Sequence, residues 1–264
     1  MNIYVFNSKN FKFNVLRPPR GCDPRDWLPV LIDVFMQAYD LRAGGQSILT
    51  QHGYKLCTDY GVFEGKDVYP TLLDLKESID AYVPERSYGR IADFLDSVKT
   101  RLNDCILALG NMLDCDRGFP LEDLLDKPVV FELEGLLPRH QKFLVTIILK
   151  FIYHYRISNG HRGHLRHVLF FDEAKMVYDK KSDLIRDYGP SEMTQITTLI
   201  REFGEGLVAS DQMPTDLSNA IKASVYTTIC MSQSGGPNIQ EMAKALDLNK
   251  DQISYMTKLV SEGD

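Results

Sequence analysis

The segment His167-Val168-Leu169-Phe170-Phe171-Asp172-Glu173-Ala174-Lys175 constrains this chain more than any other stretch. An apolar run that stops on two adjacent carboxylates is the pattern of a buried parallel strand delivering acids to a nucleotide site, and it resembles a Walker B strand. An aspartate at such a strand's carboxyl end can hold Mg²⁺ through water, and the glutamate after it can polarise the water that attacks a γ-phosphate. Asp172 is therefore the candidate metal-positioning residue and Glu173 the candidate general base. An ordinary core strand ending in two solvated acids has the same pattern, so the motif alone leaves both readings open.

Downstream, residues 198–214 read as a helix end, a glycine stop at Gly204, a short apolar strand and a polar tip before Pro214. Gln212 at that tip is placed to hydrogen-bond an attacking water and a γ-phosphate, as a sensor residue does; a turn amide before proline is the alternative. Arg201, on the last helical turn before Gly204, is a candidate arginine finger toward a neighbouring subunit, a role worth ~10³ to 10⁵ in rate. A cation placed favourably at a helix C-terminus is the other explanation.

The ordered set of these pieces resembles the HerA/FtsK superfamily of P-loop DNA-pumping ATPases, HerA-like proteins and conjugation ATPases among them. Val129-Val130-Phe131-Glu132-Leu133 resembles the strand before that family's long helix, which follows over residues 139–158. The Walker B-like strand and the strand leading to Gln212 come next, then Asp216-Leu217-Ser218, similar to a Q-x-P-x-x-L-S segment. Residues 226–231 would be the next core strand, and residues 245–248 through Ser261-Glu262-Gly263 the closing helices. The resemblance covers residues 128–264 well and 11–127 more faintly, through Asn14-Val15-Leu16-Arg17-Pro18-Pro19.

It implies an α/β fold: a RecA-like P-loop NTPase core, with edge strands in residues 1–19, a mainly helical insertion over 20–127 and the core proper over 128–264. It also implies ATP and Mg²⁺ as cofactors, DNA as the moved partner, a ring built as a homo-hexamer, and a nuclease or secretion apparatus as an associated partner. One element of the family pattern is missing. No G-x-x-x-x-G-K-[ST] run exists; the sole Gly-Lys pair, Gly65-Lys66, precedes Asp67 and follows no apolar strand, and reads as a surface turn. The expectation is a chain lacking its P-loop part, with further sequence expected at its other end as well, and inactive in ATP hydrolysis alone. The alternative is a non-catalytic module that serves as assembly or DNA-binding partner of an active ATPase or nuclease.

Composition agrees with a cytoplasmic globular protein. The chain has 264 residues, 44% of them hydrophobic, enough for a substantial core. No apolar run approaches the ~20 residues a membrane span needs. Five scattered cysteines without C-x-x-C spacing read as reduced thiols. A net charge of −6 argues against a surface coated for DNA, although a ring motor grips through a few basic loops. The local candidate is the run from Tyr155-Arg156 to His161-Arg162-Gly163-His164-Leu165-Arg166-His167, which a solvated loop explains as well. A metal site is disfavoured for its histidines, which have no neighbouring cysteine or carboxylate.

In the first half, residues 2–6 and 11–15 predict two edge strands joined by Asn7-Ser8-Lys9-Asn10. Asp23-Pro24-Arg25-Asp26 predicts a helix start, and Gly44-Gly45 the end of that helical stretch. Further helices are predicted over 46–60, 71–82 and 89–110, the last with Ile91, Phe94, Leu95, Val98, Leu102, Ile106 and Leu109 along one side.

Overall fold

The computed structural model describes residues 2–84, 89–180, 196–197, 199–233 and 235–259. The chain forms two compact units, Met1–Arg162 and Gly163–Asp264.

The first unit is built on helices whose starts the sequence encodes. In α1 (Pro24–Ala38) the Asp23 carboxylate accepts the Arg25 N–H, and Pro24 occupies the first turn, where no N–H is needed. Its buried stripe carries Trp27, Leu31 and Phe35, and the Trp27 indole donates to the Val15 carbonyl at 2.8 Å. α2 (Ala43–Asp59) packs on α1; α3 (Leu72–Asp80), opened by a Thr71/Asp74 capping box, packs on α2 and on α4 (Arg90–Leu113). α5 (Pro138–Ser158) lies against α1 and buries Phe143, Leu144 and Ile147 completely. β1 (Tyr4–Phe6) pairs in parallel with β2 (Val129–Phe131), Val5 opposite Val130.

Three expectations are corrected here. Residues 11–15 are not a strand beside β1: Phe13 makes a lone bridge to Gly118, while Phe11, Phe13 and Val15 are buried. A side chain orders this segment in place of a ladder, for buried Asn14 donates to the Pro70 and Asp116 carbonyls and accepts the Leu16 N–H. Gly44-Gly45 does not end a helix but lies in the first turns of α2. A Cβ on Gly44 would fall 2.1 Å from the Phe94 ring of α4, so this glycine permits close helix packing. Ile91 is exposed, although Leu95, Val98, Leu102 and Leu109 on the same helix are buried.

In the second unit, β3 (His167–Phe171) and β4 (Glu205–Ala209) pair in parallel with His167 opposite Glu205 and Phe171 opposite Ala209. The described strands thus form two parallel pairs rather than one continuous sheet. Phe171 meets the Tyr178 ring edge-on at 5.9 Å. On the alternate pleat positions Phe170 is 76% exposed and its register partner Val208 is 46% exposed. The core strand expected over residues 226–231 is irregular instead, with Tyr226, Ile229 and Met231 all exposed. Its backbone has no ladder partner among the described residues, and an unpaired segment is not a strand. Helices α6 (Asn219–Ser224), α7 (Gly236–Ala245) and α8 (Lys250–Met256) follow, the first capped by Ser218 and the last by an Asn249/Gln252 capping box. The Ser261-Glu262-Gly263 end lies outside the described residues.

Candidate functional site

Parallel pairing brings the carboxyl ends of β3 and β4 to one edge. The strands are joined past their last residues: the Ser210 N–H donates to the Phe171 carbonyl at 2.8 Å and the Ala174 N–H to the Ser210 carbonyl at 2.9 Å. Asp172 and Glu173 leave β3 at this edge, and Ser210-Asp211-Gln212 leaves β4 beside them.

Asp172 Oδ1 accepts the Glu173 N–H at 3.1 Å and the Ser210 hydroxyl at 3.4 Å. Asp172 Oδ2 makes no hydrogen bond to protein among the described residues. Glu173 is exposed and left-handed, with φ of 52°, a conformation that costs a non-glycine residue about 1 kcal/mol. The bonds of its neighbours across to β4 hold it there. Asp211 spends its carboxylate on the backbone, Oδ2 accepting the Lys175 N–H at 2.6 Å and Oδ1 the Met213 N–H at 2.7 Å. This staples the turn after β3 to the turn after β4 and carries the exposed Gln212 between them.

The edge therefore gathers Asp172, Glu173 and Gln212. Arg201 is placed otherwise: it opens a 3-10 turn, Arg201–Phe203, before β4 begins, at the amino-terminal edge of the pair. Five strand residues at ~3.3 Å each separate the two edges by roughly 15 Å. At the same amino-terminal edge His167 Nδ1 lies 2.7 Å from Oε2 of the buried Glu205, so this histidine serves strand pairing. Ser210 and Asp211 join the edge beyond what the sequence alone points to; the polar triplet Ser210-Asp211-Gln212 after an apolar run is the signal that could have found them.

The donor set suits a hard cation. Two exposed carboxylates with a free oxygen on Asp172 match Mg²⁺, which keeps most of its waters and takes one or two protein oxygens beside phosphate. Among the described residues no three carboxylate, histidine or cysteine side chains converge as a metal cage. The Gly65-Lys66 pair is exposed after a 3-10 turn, Val62–Glu64, that buries Val62, and Gly65 has φ of 86°.

No protein-family profile matches the chain. Its fold matches VirB4 of Thermoanaerobacter pseudethanolicus, with a TM-score of 0.71 at 15% identity over 97% of this chain and 71% of that one. It also matches the plasmid coupling protein TrwB in complex with ADP and Mg²⁺, with a TM-score of 0.60 at 14% identity over 98% of this chain and 69% of TrwB. TrwB bound to a non-hydrolysable GTP analogue matches equally, at 0.61. VirB4 and the bacterial conjugative coupling protein TrwB are of the kind that the sequence resemblance pointed to, and at these identities that resemblance holds as a fold over nearly the whole chain. Among curated proteins, Thrombospondin-3b of Danio rerio is 27% identical over 125 residues. That match spans 47% of this chain but 13% of that protein, and has no bearing on activity. Among the described residues no helix is long and apolar enough to cross a membrane.

Proposed function

We propose that this chain is the C-terminal portion of an ATP-driven DNA translocase of the HerA/FtsK kind, working as a hexameric ring and inactive without a P-loop. The observation that carries the reading is the strand-end edge where Asp172, Glu173 and Gln212 come together on two parallel strands cross-linked by Ser210. In this reading Asp172 positions Mg²⁺ through water, Glu173 takes the proton of the attacking water and Gln212 reports the γ-phosphate to the rest of the ring. Arg201, at the opposite strand edge, reaches a neighbouring subunit's nucleotide rather than its own. The apolar face bearing Phe170 and Val208 supports the reading, because parallel strands of this class are covered on both faces. A P-loop strand and its helix would supply that cover and the phosphate cradle.

The test compares ATP turnover by this chain with turnover by the product of the same gene read in frame from its upstream sequence. The expected result is background turnover by the chain, and DNA-stimulated turnover by an extended product that contains G-x-x-x-x-G-K-[ST]. Glu173→Gln should lower the latter by about 10² or more. Turnover by the chain alone that Glu173→Gln abolishes would overturn the claim of inactivity. A stop codon immediately upstream would instead favour a non-catalytic module pairing with an active ATPase or nuclease, a reading that the missing P-loop motif supports.

A further inference from the structure

The stretch Val225-Tyr226-Thr227-Thr228-Ile229-Cys230-Met231 lies between α6 and α7, where glycine, proline and charged turn residues are ordinary, and it contains none of them. Its β-branched and aromatic residues, Val225 to Ile229, are those that strands favour. The structure nevertheless leaves it in solvent: Tyr226 is 97% exposed, Ile229 80% and Met231 74%, with Thr227 and Thr228 exposed between them. From Tyr226 to Met231 no backbone N–H or carbonyl bonds another backbone group among the described residues.

Both ends of the stretch are fixed. α6 ends at Ser224, whose hydroxyl donates to the Ile221 carbonyl at 2.9 Å, and the Cys230 thiol lies 3.3 Å from Sδ of the buried Met256 on α8. A tethered segment loses less freedom on pairing than a free tail does.

Charge and area select the partner. The chain carries a net charge of −6, so its copies repel one another in general, and an uncharged stretch is where two of them can approach. Identical uncharged strands set no like charges opposite each other, and threonine hydroxyls can add cross-strand bonds. Tyr226, Ile229 and Met231 together offer roughly a few hundred Å², short of the ~800 Å² that each partner buries in a stable dimer. An unpaired strand also has two open edges, of which one neighbour covers only one.

We propose that residues 225–231 form a self-association strand, through which copies of this chain pair backbone to backbone into open-ended β-sheet oligomers. Nothing in this pairing draws on the strand-end edge or on nucleotide.

Light scattering and amide hydrogen exchange on the full chain, over a dilution series from micromolar to millimolar, test this. The average mass should rise with concentration without a plateau at two copies, and the amides of residues 226–231 should exchange about tenfold more slowly at the concentrated end, while those of β3 and β4 are unchanged. Thr228→Pro removes a ladder N–H and Ile229→Lys brings like charges together; each should raise the concentration needed for association by about tenfold. Both side chains are exposed, so circular dichroism should show the helices retained. Phe170→Lys, a charge on the open face of β3, should leave association as it is. A chain that stays monomeric at millimolar concentration, a mass that stops at a dimer, exchange at residues 226–231 that ignores concentration, or association abolished by Phe170→Lys but not by Ile229→Lys would each overturn the proposal.

Discussion

Glu173 combines an exposed carboxylate with backbone strain. Its left-handed φ would suit glycine better, so Glu173→Gly should raise the stability of the second unit by about 0.5–1 kcal/mol, and Glu173→Gln should leave it nearly unchanged. Chemical denaturation of the two variants checks this, and a loss of stability in the glycine variant would show that the carboxylate itself holds the turn. At Asn14 the balance is reversed. The side chain there makes three hydrogen bonds in a fully buried place, so Asn14→Ala should cost ~2–4 kcal/mol, read as a lower urea midpoint with unchanged slope. That Asp172, Glu173 and Gln212 follow the ends of strands was legible in the sequence, because an apolar run stopping on polar residues has a linear signature. The bonds of Ser210 and Asp211 were not, since their partners, Asp172 and Lys175, lie more than thirty residues away in sequence.

Among elements, the helices were the most legible, because amphipathic spacing and caps are local. Asp23-Pro24 and Thr71 mark starts that the structure reproduces. The misread glycines show where local rules stop. Helix propensity favours Gly44→Ala by nearly 1 kcal/mol, but the added Cβ would meet the Phe94 ring at 2.1 Å. Displacing that ring should outweigh the propensity gain, and we expect net destabilisation of about 1 kcal/mol by thermal melting, relieved in a Gly44→Ala, Phe94→Ala double variant. The strand errors have a common cause. Residues 11–15 and 226–231 both carry strand-like composition, yet strand formation depends on a paired neighbour, and the descriptors of a single segment cannot supply one.

Over the whole molecule, three histidines of the first unit, His52, His140 and His154, have pKa values lowered chiefly by burial, below the usual 6.5. The folded state holds them neutral, while the unfolded chain protonates them as the pH falls through about 6.5. Unfolding therefore takes up protons, and stability is lost on acidification below that point, with a slope of up to ~1.4 kcal/mol per pH unit for each proton bound. Urea midpoints at pH 7.5 and 5.5 should differ accordingly, and equal midpoints would mean that the buried rings charge without penalty. By itself the sequence determined the main helices of the first unit, the acid-tipped and polar-tipped strands and the absence of a P-loop motif, because each is written in adjacent residues or in helical spacing. Only the tertiary structure decided that β3 and β4 are neighbours, that Ser210 and Asp211 tie their ends, that Arg201 stands at the opposite edge, and that residues 226–231 have no ladder partner among the described residues. Those facts depend on pairing and burial between distant segments, which no local pattern encodes.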